Sequence, residues 1–292
     1  MLNLLVNPIA GGKQGKKMQK SLQMIEGKLK KANMPYTIYK TEKKNDGITI
    51  TQDLIKNGAD NIIVVGGDGT LHEVINGFSN FENVTLGIIP CGTGNDFAAA
   101  LKIPEDPEKA LDIILSNKTR YVDYMQMPTV RGLNIIGMGL DVEVLKLYAQ
   151  CRKKNKIAYT KCLLKALIGY KCIQFDASLD GGEMKRYNSF IACVANGYRY
   201  GGGIPICPIA DAFDNNLDFI IVDGMGKLKT AAAAVKLKAG KILTVKQTSH
   251  LNMKEVSILP TTEHYTVNVD GELYEDIPFS VKIVPNTLKV FC

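Results

Sequence analysis

The clearest structural signal in this 292-residue chain is the stretch Asn61-Ile62-Ile63-Val64-Val65-Gly66-Gly67-Asp68-Gly69-Thr70. Its first five residues are typical of a buried β-strand, and a helical pattern begins at Thr70. Three glycines around one aspartate let the backbone approach a ligand and turn its N–H groups inward, while the helix that follows adds a positive dipole end. The stretch therefore predicts a site for a phosphate chain, with Asp68 suited to a magnesium ion or a hydroxyl beside it.

Strands and helices alternate on both sides of this stretch. Apolar patterns predict strands at 2–6, 36–40, 62–65 and 84–89. A helix is expected between the first two strands, because Met18, Leu22, Ile25 and Leu29 recur at the spacing of one buried face, and another is expected at 48–56. This alternation predicts βαβ units and a doubly wound parallel sheet, which is an α/β nucleotide-binding architecture.

Three glycine-rich loops follow strands of this predicted sheet, at 7–13, 66–70 and 90–96. Ligands of such sheets bind beyond the carboxyl ends of the strands, so we expect the three loops to converge on one site. Residues 11–16 are not a Walker A sequence, because they lack its spacing and its Ser or Thr. Lys13 and Lys16 are therefore expected either to contact phosphate or to lie in solvent at a helix start.

After about residue 119 most apolar segments have the pattern of β-strands, which predicts a C-terminal antiparallel β-sandwich. Two helical stretches interrupt it, at 142–167, with a break near Asn155, and at 227–238. We place the domains at 1–122 and 123–292, and the sequence leaves open whether the last strand returns to the first domain. The expected strands are 121–127, 175–179, 190–195, 217–222, 256–259, 264–269, 279–284 and 288–291.

Composition limits the classes of protein that this chain can be. No run of about 18 apolar residues and no signal-type segment is present, so we expect a cytoplasmic protein. Its seven cysteines are scattered and never spaced as C-x-x-C, which argues against both a disulfide framework and a zinc site. The formal net charge of +7 favours an anionic partner or serves solubility alone. Nucleic acid is not expected, because tryptophan is absent and the basic residues do not alternate with aromatic ones.

Five motifs in order resemble the soluble diacylglycerol kinase catalytic family, which includes bacterial lipid kinases and the sphingosine and ceramide kinases. They are Asn7-Pro8, residues 66–73 (GGDGTLHE), residues 92–98 (GTGNDFA), Ala195-Asn196-Gly197 with Gly201-Gly202-Gly203, and Asp270-Gly271-Glu272. The second motif alone is shared with NAD kinases and resembles phosphofructokinases. The resemblance covers most of the chain and implies an α/β domain, a β-sandwich and ATP bound in the cleft between them.

The resemblance also implies roles for particular residues. Asp270 would be the general base that accepts the proton of a lipid hydroxyl as the γ-phosphoryl group departs. The alternative is that Asp270-Gly271 is only a hairpin turn, and both readings are compatible. His72, where the family often has asparagine, is expected to be a polar neighbour of the phosphate turn. The residues that would hold the phosphates are Asn7, Thr41, Gly66, Gly67, Asp68, Gly69, Thr70, Leu71 and Thr93.

Residues 208–218 (PIADAFDNNLD) resemble the family's structural magnesium loop. Asp214 would supply a carboxylate oxygen, and carbonyl oxygens near Asp211 and Asn216 would complete the Mg²⁺ ligands. The family usually has glycine after this aspartate, whereas this chain has Asn215. Asparagine tolerates the left-handed backbone conformation better than other non-glycine residues, so the turn is expected to survive the change.

Residues 152–167 combine lysines and arginine with apolar residues near a helix. The segment is interpreted either as a surface that docks transiently on anionic headgroups at the inner membrane surface, or as an ordinary amphipathic helix that covers the sandwich. An exposed strand edge would also allow two copies to form a homodimer.

Three functions are compared on these grounds. The first is a magnesium-dependent kinase that transfers the γ-phosphoryl group of ATP to the hydroxyl of a diacylglycerol-like lipid. The second is an NAD kinase, but the Gly94-Asn95-Asp96-Phe97 run follows the lipid-kinase pattern rather than the Asn-Glu pair of NAD kinases. The third is a non-catalytic nucleotide- or lipid-binding regulator, which the absence of Asp68 or Asp270 would favour, and both are present.

Overall fold

The protein is described from a computed structural model over residues 1–10, 16–152, 155–167 and 170–292. Lys13 of the first loop and Lys153 and Lys154 of the basic segment lie outside these residues. The chain divides into two compact units. Unit 1 holds Met1–Val122 and Asn286–Cys292, and unit 2 holds Asp123–Pro285.

Unit 1 is an α/β unit built on a parallel sheet. The strand order is β2-β1-β3-β4, and the last residues of the chain add a further parallel strand that pairs Val290 with Leu86. Its elements are β1 (Leu2–Val6), α1 (Lys16–Lys31), β2 (Tyr36–Lys40), α2 (Asp46–Lys56), β3 (Asn61–Gly66), α3 (Asp68–Gly77), β4 (Thr85–Pro90), α4 (Asp96–Ala100) and α5 (Pro107–Leu115).

The central strands of unit 1 are buried along their whole length. Every residue of β1, β3 and β4 is buried, as expected of strands in a parallel sheet with both faces covered. Their loops leave from the carboxyl ends, so the residues after β1, β3 and β4 lie along the same edge of the sheet. The parallel α/β sheet predicted from the sequence is confirmed.

Unit 2 is an antiparallel β-unit with helices packed against its sheet. Its elements are β5 (Thr119–Gln126, from Asp123 on), β6 (Arg131–Gly132), β7 (Ile135–Gly139), α6 (Leu140–Ala149), α7 (Lys156–Leu167), β8 (Ile173–Leu179), β9 (Lys185–Ala195), β10 (Leu217–Asp223), α8 (Lys227–Lys238), β11 (Thr248–Met253), β12 (Glu255–Pro260), β13 (Thr266–Val269), β14 (Glu272–Glu275) and β15 (Phe279–Phe291, which ends in unit 1).

The long strand β9 joins the branches of this antiparallel sheet. It pairs with β8 through its first half and with both β7 and β10 through its second half. Among the described residues, nine strands contribute side chains to one apolar core, including Phe175, Phe219 and Phe279. A core enclosed by strands on both sides is a β-sandwich, so the predicted fold of the C-terminal half is also confirmed.

A second apolar core lies under the helices of unit 2. It contains Leu140 of α6, Leu163 of α7 and Leu237 of α8, together with Phe190 and Ile220 from the sheet. The predicted helical stretch at 142–167 is two helices, since α6 ends at Ala149 and α7 begins at Lys156. Within the residues described, no helix has the length and apolar character needed to cross a membrane.

Several elements were not predicted from the sequence. β7 reads Ile-Ile-Gly-Met-Gly, and its two glycines are more typical of a loop than of a buried strand. Helix α5 is capped by the preceding residue, Asp106, whose carboxylate accepts hydrogen bonds from the N–H groups of Glu108 and Lys109. The strands expected at 279–284 and 288–291 are one strand, β15, because Pro285 and Asn286, at φ 48°, interrupt the sequence pattern without ending the strand.

Candidate functional site

Two of the predicted glycine loops of unit 1 meet through their backbones. A Cβ atom on Gly67 would lie 2.8 Å from the Cα of Gly92, and a Cβ on Gly92 would lie 2.5 Å from the Cα of Gly67. Side chains at either position are therefore excluded by backbone atoms that cannot move aside. The loop after β3 and the loop after β4 form one surface because both positions are glycine.

The loop after β1 reaches the same place through Asn7. The Asn7 side-chain amide donates to Thr70 Oγ1 at 3.1 Å, and its carbonyl oxygen accepts from the N–H of Ile9 at 3.1 Å. Thr70 also packs against Gly66, where an added Cβ would lie 2.8 Å from the threonine side chain. Thr41 follows β2, is buried, and donates its N–H to the carbonyl of Val6.

The N-terminus of α3 provides the donors of this surface. The first hydrogen bond of the helix runs from the N–H of Leu71 to the carbonyl of Gly67, so the N–H groups of Asp68, Gly69 and Thr70 precede it and point out of the helix end. Such a helix end, with its positive dipole, is a binding site for phosphate oxygens. The side chain of Leu71 is buried and its N–H is used within α3, so this residue contributes packing.

Asp68 joins the two loops and caps a second helix. Its carboxylate accepts hydrogen bonds from the N–H groups of Asn95 at 2.7 Å, Asp96 at 2.8 Å and Phe97 at 3.4 Å. Burial, and next the charge of Asp96, raise the pKa of Asp68 from its ordinary value to about 7, against the lowering effect of these donors. Thr93, in the same loop as Gly92, is exposed.

Other residues fix this surface and were not predicted as site residues. Asn95 has a left-handed backbone, at φ 54°, and its side chain bonds to both the N–H and the carbonyl of Gly92. Glu73 accepts hydrogen bonds from the N–H groups of Asn45 and Gly47 at the start of α2. His72 is buried on α3. The presence of Asn95 and Glu73 in the quoted motifs was the signal that marked them.

Asp270 of unit 2 lies in a two-residue hairpin turn between β13 and β14. Val269 pairs with Glu272, and Asp270 and Gly271 both have positive φ, at 53° and 97°, as the type I′ turn requires. The hairpin reading of Asp270-Gly271 is therefore confirmed. The structure adds a second role for the side chain, which the turn itself does not need.

The Asp270 carboxylate holds the backbone in front of β7. It accepts hydrogen bonds from the N–H groups of Leu133 at 2.6 Å, Asn134 at 2.9 Å and Ile135 at 2.9 Å. Asn196 holds the same segment, since its side-chain amide donates to the carbonyls of Leu133 and Asp123. Two motifs that are 74 residues apart in sequence thus meet at residues 133–135, and this fixes the direction of the Asp270 carboxylate.

The predicted metal residues lie together in the loop before β10. Asn215 adopts the left-handed conformation, at φ 61°, so it replaces glycine without loss of the turn. The Asp211 carboxylate accepts the N–H of Phe213 at 3.1 Å, and the Asp214 carboxylate accepts the N–H of Asn216 at 2.8 Å. Burial, followed by the nearby carboxylates of Asp218, Asp211 and Asp123, raises the pKa of Asp214.

Two oxygen atoms at the end of this loop contact a lysine side chain. The ammonium group of Lys254 lies 2.5 Å from the carbonyl oxygen of Asn215 and 2.8 Å from Oδ1 of Asn216. These oxygens already bind a cation of the protein. In the part of the chain that the structure describes, no three His, Cys, Asp or Glu side chains are placed to hold a metal ion.

Unit 2 also contains a pocket of about 640 Å³ beside α6. Glu143 and Lys146 of α6, Tyr170, and the residues around His264 and Asp276 line it. Asp141, buried on α6, accepts a hydrogen bond from the side-chain amide of Asn268 at 2.9 Å. A smaller, mainly apolar pocket lies between α6, α7 and α8, with Leu163 and Leu237 in its walls.

The chain is similar to known proteins over nearly its whole length. The diacylglycerol kinase catalytic domain matches residues 1–127, and the YegS C-terminal NAD kinase beta sandwich-like domain matches residues 134–292. The inferred lipid kinase YtlR of Bacillus subtilis is 25% identical over 98% of this chain and 97% of its own. A "Probable lipid kinase YegS-like" of Chromohalobacter salexigens is 25% identical over 92% and 89% of the two chains.

A solved structure is similar in both sequence and fold. The crystal structure of an inferred diacylglycerol kinase from Bacillus anthracis is 27% identical to this chain, with a TM-score of 0.83. The match covers 99% of this chain and 94% of the other. The likeness therefore extends through both units.

Proposed function

Because this chain belongs to the diacylglycerol kinase catalytic family of lipid kinases, we propose that it transfers the γ-phosphoryl group of ATP to the hydroxyl of diacylglycerol or a related lipid. The product is then phosphatidic acid or an analogous lipid phosphate. The observation that carries the proposal is the surface at Gly67, Gly92 and the start of α3, where two glycine loops meet at a helix N-terminus.

This surface is suited to the phosphates of ATP. The N–H groups at the start of α3 supply donors, and the glycines allow the triphosphate to approach the backbone closely. Asn7 fixes Thr70, and Asp68 fixes the loop of Gly92 and Thr93, so the donors are held in place before the nucleotide binds. Backbone N–H donors that are fixed in position favour the reaction, because phosphoryl transfer depends mainly on positioning the reactants and on neutralising charge.

We propose that Mg²⁺ binds together with ATP. The carboxylates of Asp68 and Asp96 are the residues that would face it, and the ion would neutralise phosphate charge during transfer. Their mutual repulsion, which helps to raise the pKa of Asp68, fits a site that a cation relieves.

Asp270 is the proposed general base. A lipid hydroxyl is a weak nucleophile at neutral pH, and a carboxylate that accepts its proton makes the attack on the γ-phosphorus possible. The hydrogen bonds from residues 133–135 hold the Asp270 carboxylate in one orientation, which general-base catalysis requires.

The helices of unit 2 support a lipid substrate at a membrane surface. Ile157 and Leu164 on α7 are 70% and 56% exposed, and Leu228 and Val235 on α8 are 89% and 71% exposed. Lysines 161, 165, 229 and 236 are exposed on the same helices. Apolar side chains beside lysines favour contact with a membrane that carries anionic headgroups. We propose this transient, peripheral contact as the route to the lipid.

Transfer from radiolabelled ATP tests the proposal. Wild-type protein and Asp270→Ala are incubated with Mg²⁺ and mixed micelles of single lipids: diacylglycerol, monoacylglycerol, ceramide, a sphingoid base and phosphatidylglycerol. We expect label on one lipid and a loss of at least about 10²-fold in the variant. Label on NAD, used as a control acceptor, and on no lipid would contradict the proposal. Binding of ATP without transfer to any acceptor would favour a regulator instead.

A further inference from the structure

The side chain of Lys254 places a positive charge at the 211–218 loop. Lys254 stands in the turn between β11 and β12, and its N–H and that of Glu255 donate to the Asp180 carboxylate at 2.8 and 2.9 Å. This backbone anchor aims the side chain at the loop, where its ammonium group contacts Asn215 and Asn216 at 2.5 and 2.8 Å. Both the backbone N–H and the side-chain ammonium group of Lys254 are therefore hydrogen-bonded.

The loop needs a positive charge. The carboxylates of Asp123, Asp211 and Asp218 lie close enough to act electrostatically on that of Asp214, and Asp123 and Asp218 are buried. His250 contacts one of them, with Nε2 at 2.6 Å from Asp218 Oδ1. A cation at the loop offsets the repulsion among these groups, whether it is a metal ion or an ammonium group.

The arrangement of oxygens suits an ammonium group better than Mg²⁺. Mg²⁺ requires near-octahedral oxygen ligands at about 2.0–2.1 Å. Here the carboxylates of Asp211 and Asp214 each accept a loop N–H, and the Asn215 and Asn216 oxygens lie at hydrogen-bond distances from Lys254. An ammonium group at the neighbouring Asn215 and Asn216 oxygens would also repel an incoming dication.

We propose that the Lys254 ammonium group is the permanent cation of the 211–218 loop and replaces the magnesium ion that the family resemblance implies. The loop is then stable at any magnesium concentration. Its shape depends on a residue of the chain, and the side chain of Asn216 takes part because its Oδ1 accepts a hydrogen bond from the lysine.

The loop is connected to the proposed general base by hydrogen bonds. The N–H of Asn215 donates to the Asp123 carboxylate at 2.7 Å, and the Asn196 amide donates to the carbonyls of Asp123 and Leu133. Leu133 donates its own N–H to Asp270. Lys254 is therefore a positioning residue for Asp270, a step that rests on the proposed function, whereas its role as the loop's cation does not.

Thermal unfolding tests the cation role without any substrate. The melting temperature is measured for wild type, Lys254→Met, Lys254→Arg and Lys185→Met, each with 10 mM Mg²⁺ or with EDTA. Lys185 is an exposed lysine at the start of β9 and serves as the matched control. We expect no response of the wild type to Mg²⁺ or EDTA, and a loss of about 3–6 °C in Lys254→Met that Lys254→Arg largely avoids.

The outcomes separate the possibilities. A rise in the melting temperature of Lys254→Met with Mg²⁺, absent in the wild type, would support the replacement directly. A lower melting temperature without rescue by Mg²⁺ would still support an essential ammonium group. Stabilisation of the wild type by Mg²⁺, or a Lys254→Met variant as stable as Lys185→Met, would overturn the proposal.

The positioning role is tested in the lipid-phosphorylation assay. We expect Lys254→Met to lower kcat by about tenfold while the KM for ATP stays unchanged, because the hydrogen bonds lead to Asp270 and not to the loops of unit 1. An unchanged kcat would contradict this step. If no lipid is phosphorylated by the wild type, the proposed function fails, and the melting temperatures still decide the role of Lys254 as a cation.

Discussion

Asp68, Asp141 and Asp270 are three carboxylates with different surroundings, and their chemistry differs accordingly. Asp270 and Asp68 each accept three backbone N–H groups, so both fix loops as well as carry charge. Asp141 is buried on α6, and its contact to another side chain is the Asn268 amide. Burial therefore dominates its behaviour and raises its pKa from an ordinary value near 3.8 to about 6.

The raised pKa of Asp141 predicts how stability changes with pH. Below about pH 4 the Asp141 carboxyl group is protonated in both the folded and the unfolded state, so it does not change the free energy of unfolding. Between pH 4 and 6 only the unfolded state loses its proton, so the free energy of unfolding falls by on the order of 1 kcal/mol per pH unit, and it levels off above pH 6.

Replacing Asp141 by Asn tests this pH dependence. The amide does not ionise, so we expect the melting temperature of Asp141→Asn to rise relative to that of the wild type as the pH is raised from 4.5 to 8. Other titrating groups, including Asp68, act equally in both proteins and cancel in the comparison. An identical pH profile for the two proteins would show that Asp141 is ionised in the folded state throughout this range.

At the scale of elements, the phosphate surface depends on the contact between the turn before α3 and the turn before α4. Gly92→Ala places a Cβ 2.5 Å from the Cα of Gly67 and 2.8 Å from the Asn95 side chain, which forces the two turns apart. We expect ATP affinity, measured by isothermal titration calorimetry, to fall at least about tenfold, since overpacking costs about 1–3 kcal/mol.

Gly27→Ala is the control for that experiment. Gly27 lies within α1, and an added Cβ would meet no atom within 4 Å. Alanine at this position is expected to raise the stability by roughly 0.5–1 kcal/mol and to leave ATP binding unchanged. Equal ATP affinity in Gly92→Ala and Gly27→Ala would refute a role for the close approach of the turns.

The exposed face of α7 is expected to contact membranes. Replacing Ile157 and Leu164 by Ser removes exposed apolar side chains without touching the core below α7, so folding should be kept. Cosedimentation with phosphatidylglycerol vesicles is expected to fall several-fold relative to wild type, because apolar burial contributes about 25 cal/mol per Å². Leu259→Ser, on β12 and 57% exposed, is the matched control, and an equal loss there would argue against a specific face.

At the scale of the whole molecule, the end of the chain completes unit 1. Residues 286–292 belong to unit 1, and Val290 pairs with Leu86 of β4. Leu288, Val290 and Phe291 are buried. Residues 1–122 alone therefore lack a strand and three core side chains of their own unit.

This arrangement predicts a large effect of a substitution near the C-terminus. Leu288→Ala is expected to cost about 2–5 kcal/mol, the usual cost of deleting a buried leucine side chain. Chemical denaturation measures it, with Lys289→Ala on the same strand as the control. A loss below about 1 kcal/mol for Leu288→Ala would mean that the final strand contributes little to unit 1.

Local patterns in the sequence were sufficient for the architecture. The apolar run at 61–65 predicted β3, and the glycine turn and helical spacing after it predicted α3. Such predictions succeed because strand and helix periods arise from hydrogen bonds and burial over a few residues. Asp270-Gly271 predicted a hairpin turn for the same reason. Strand β7 was missed because glycine in a strand carries no local signal of burial.

The contacts that shape the candidate site were decided by the tertiary structure. Asp270 binds the N–H groups of residues 135 to 137 positions earlier, and Lys254 reaches a loop 38 or 39 positions earlier. No local pattern encodes such pairs, because they form only when the path of the chain brings distant turns together. The sequence by itself determined the two kinds of fold and the phosphate turn. Packing of distant segments determined which carboxylates accept backbone hydrogen bonds, which carboxylate is buried, and which cation lies at the 211–218 loop.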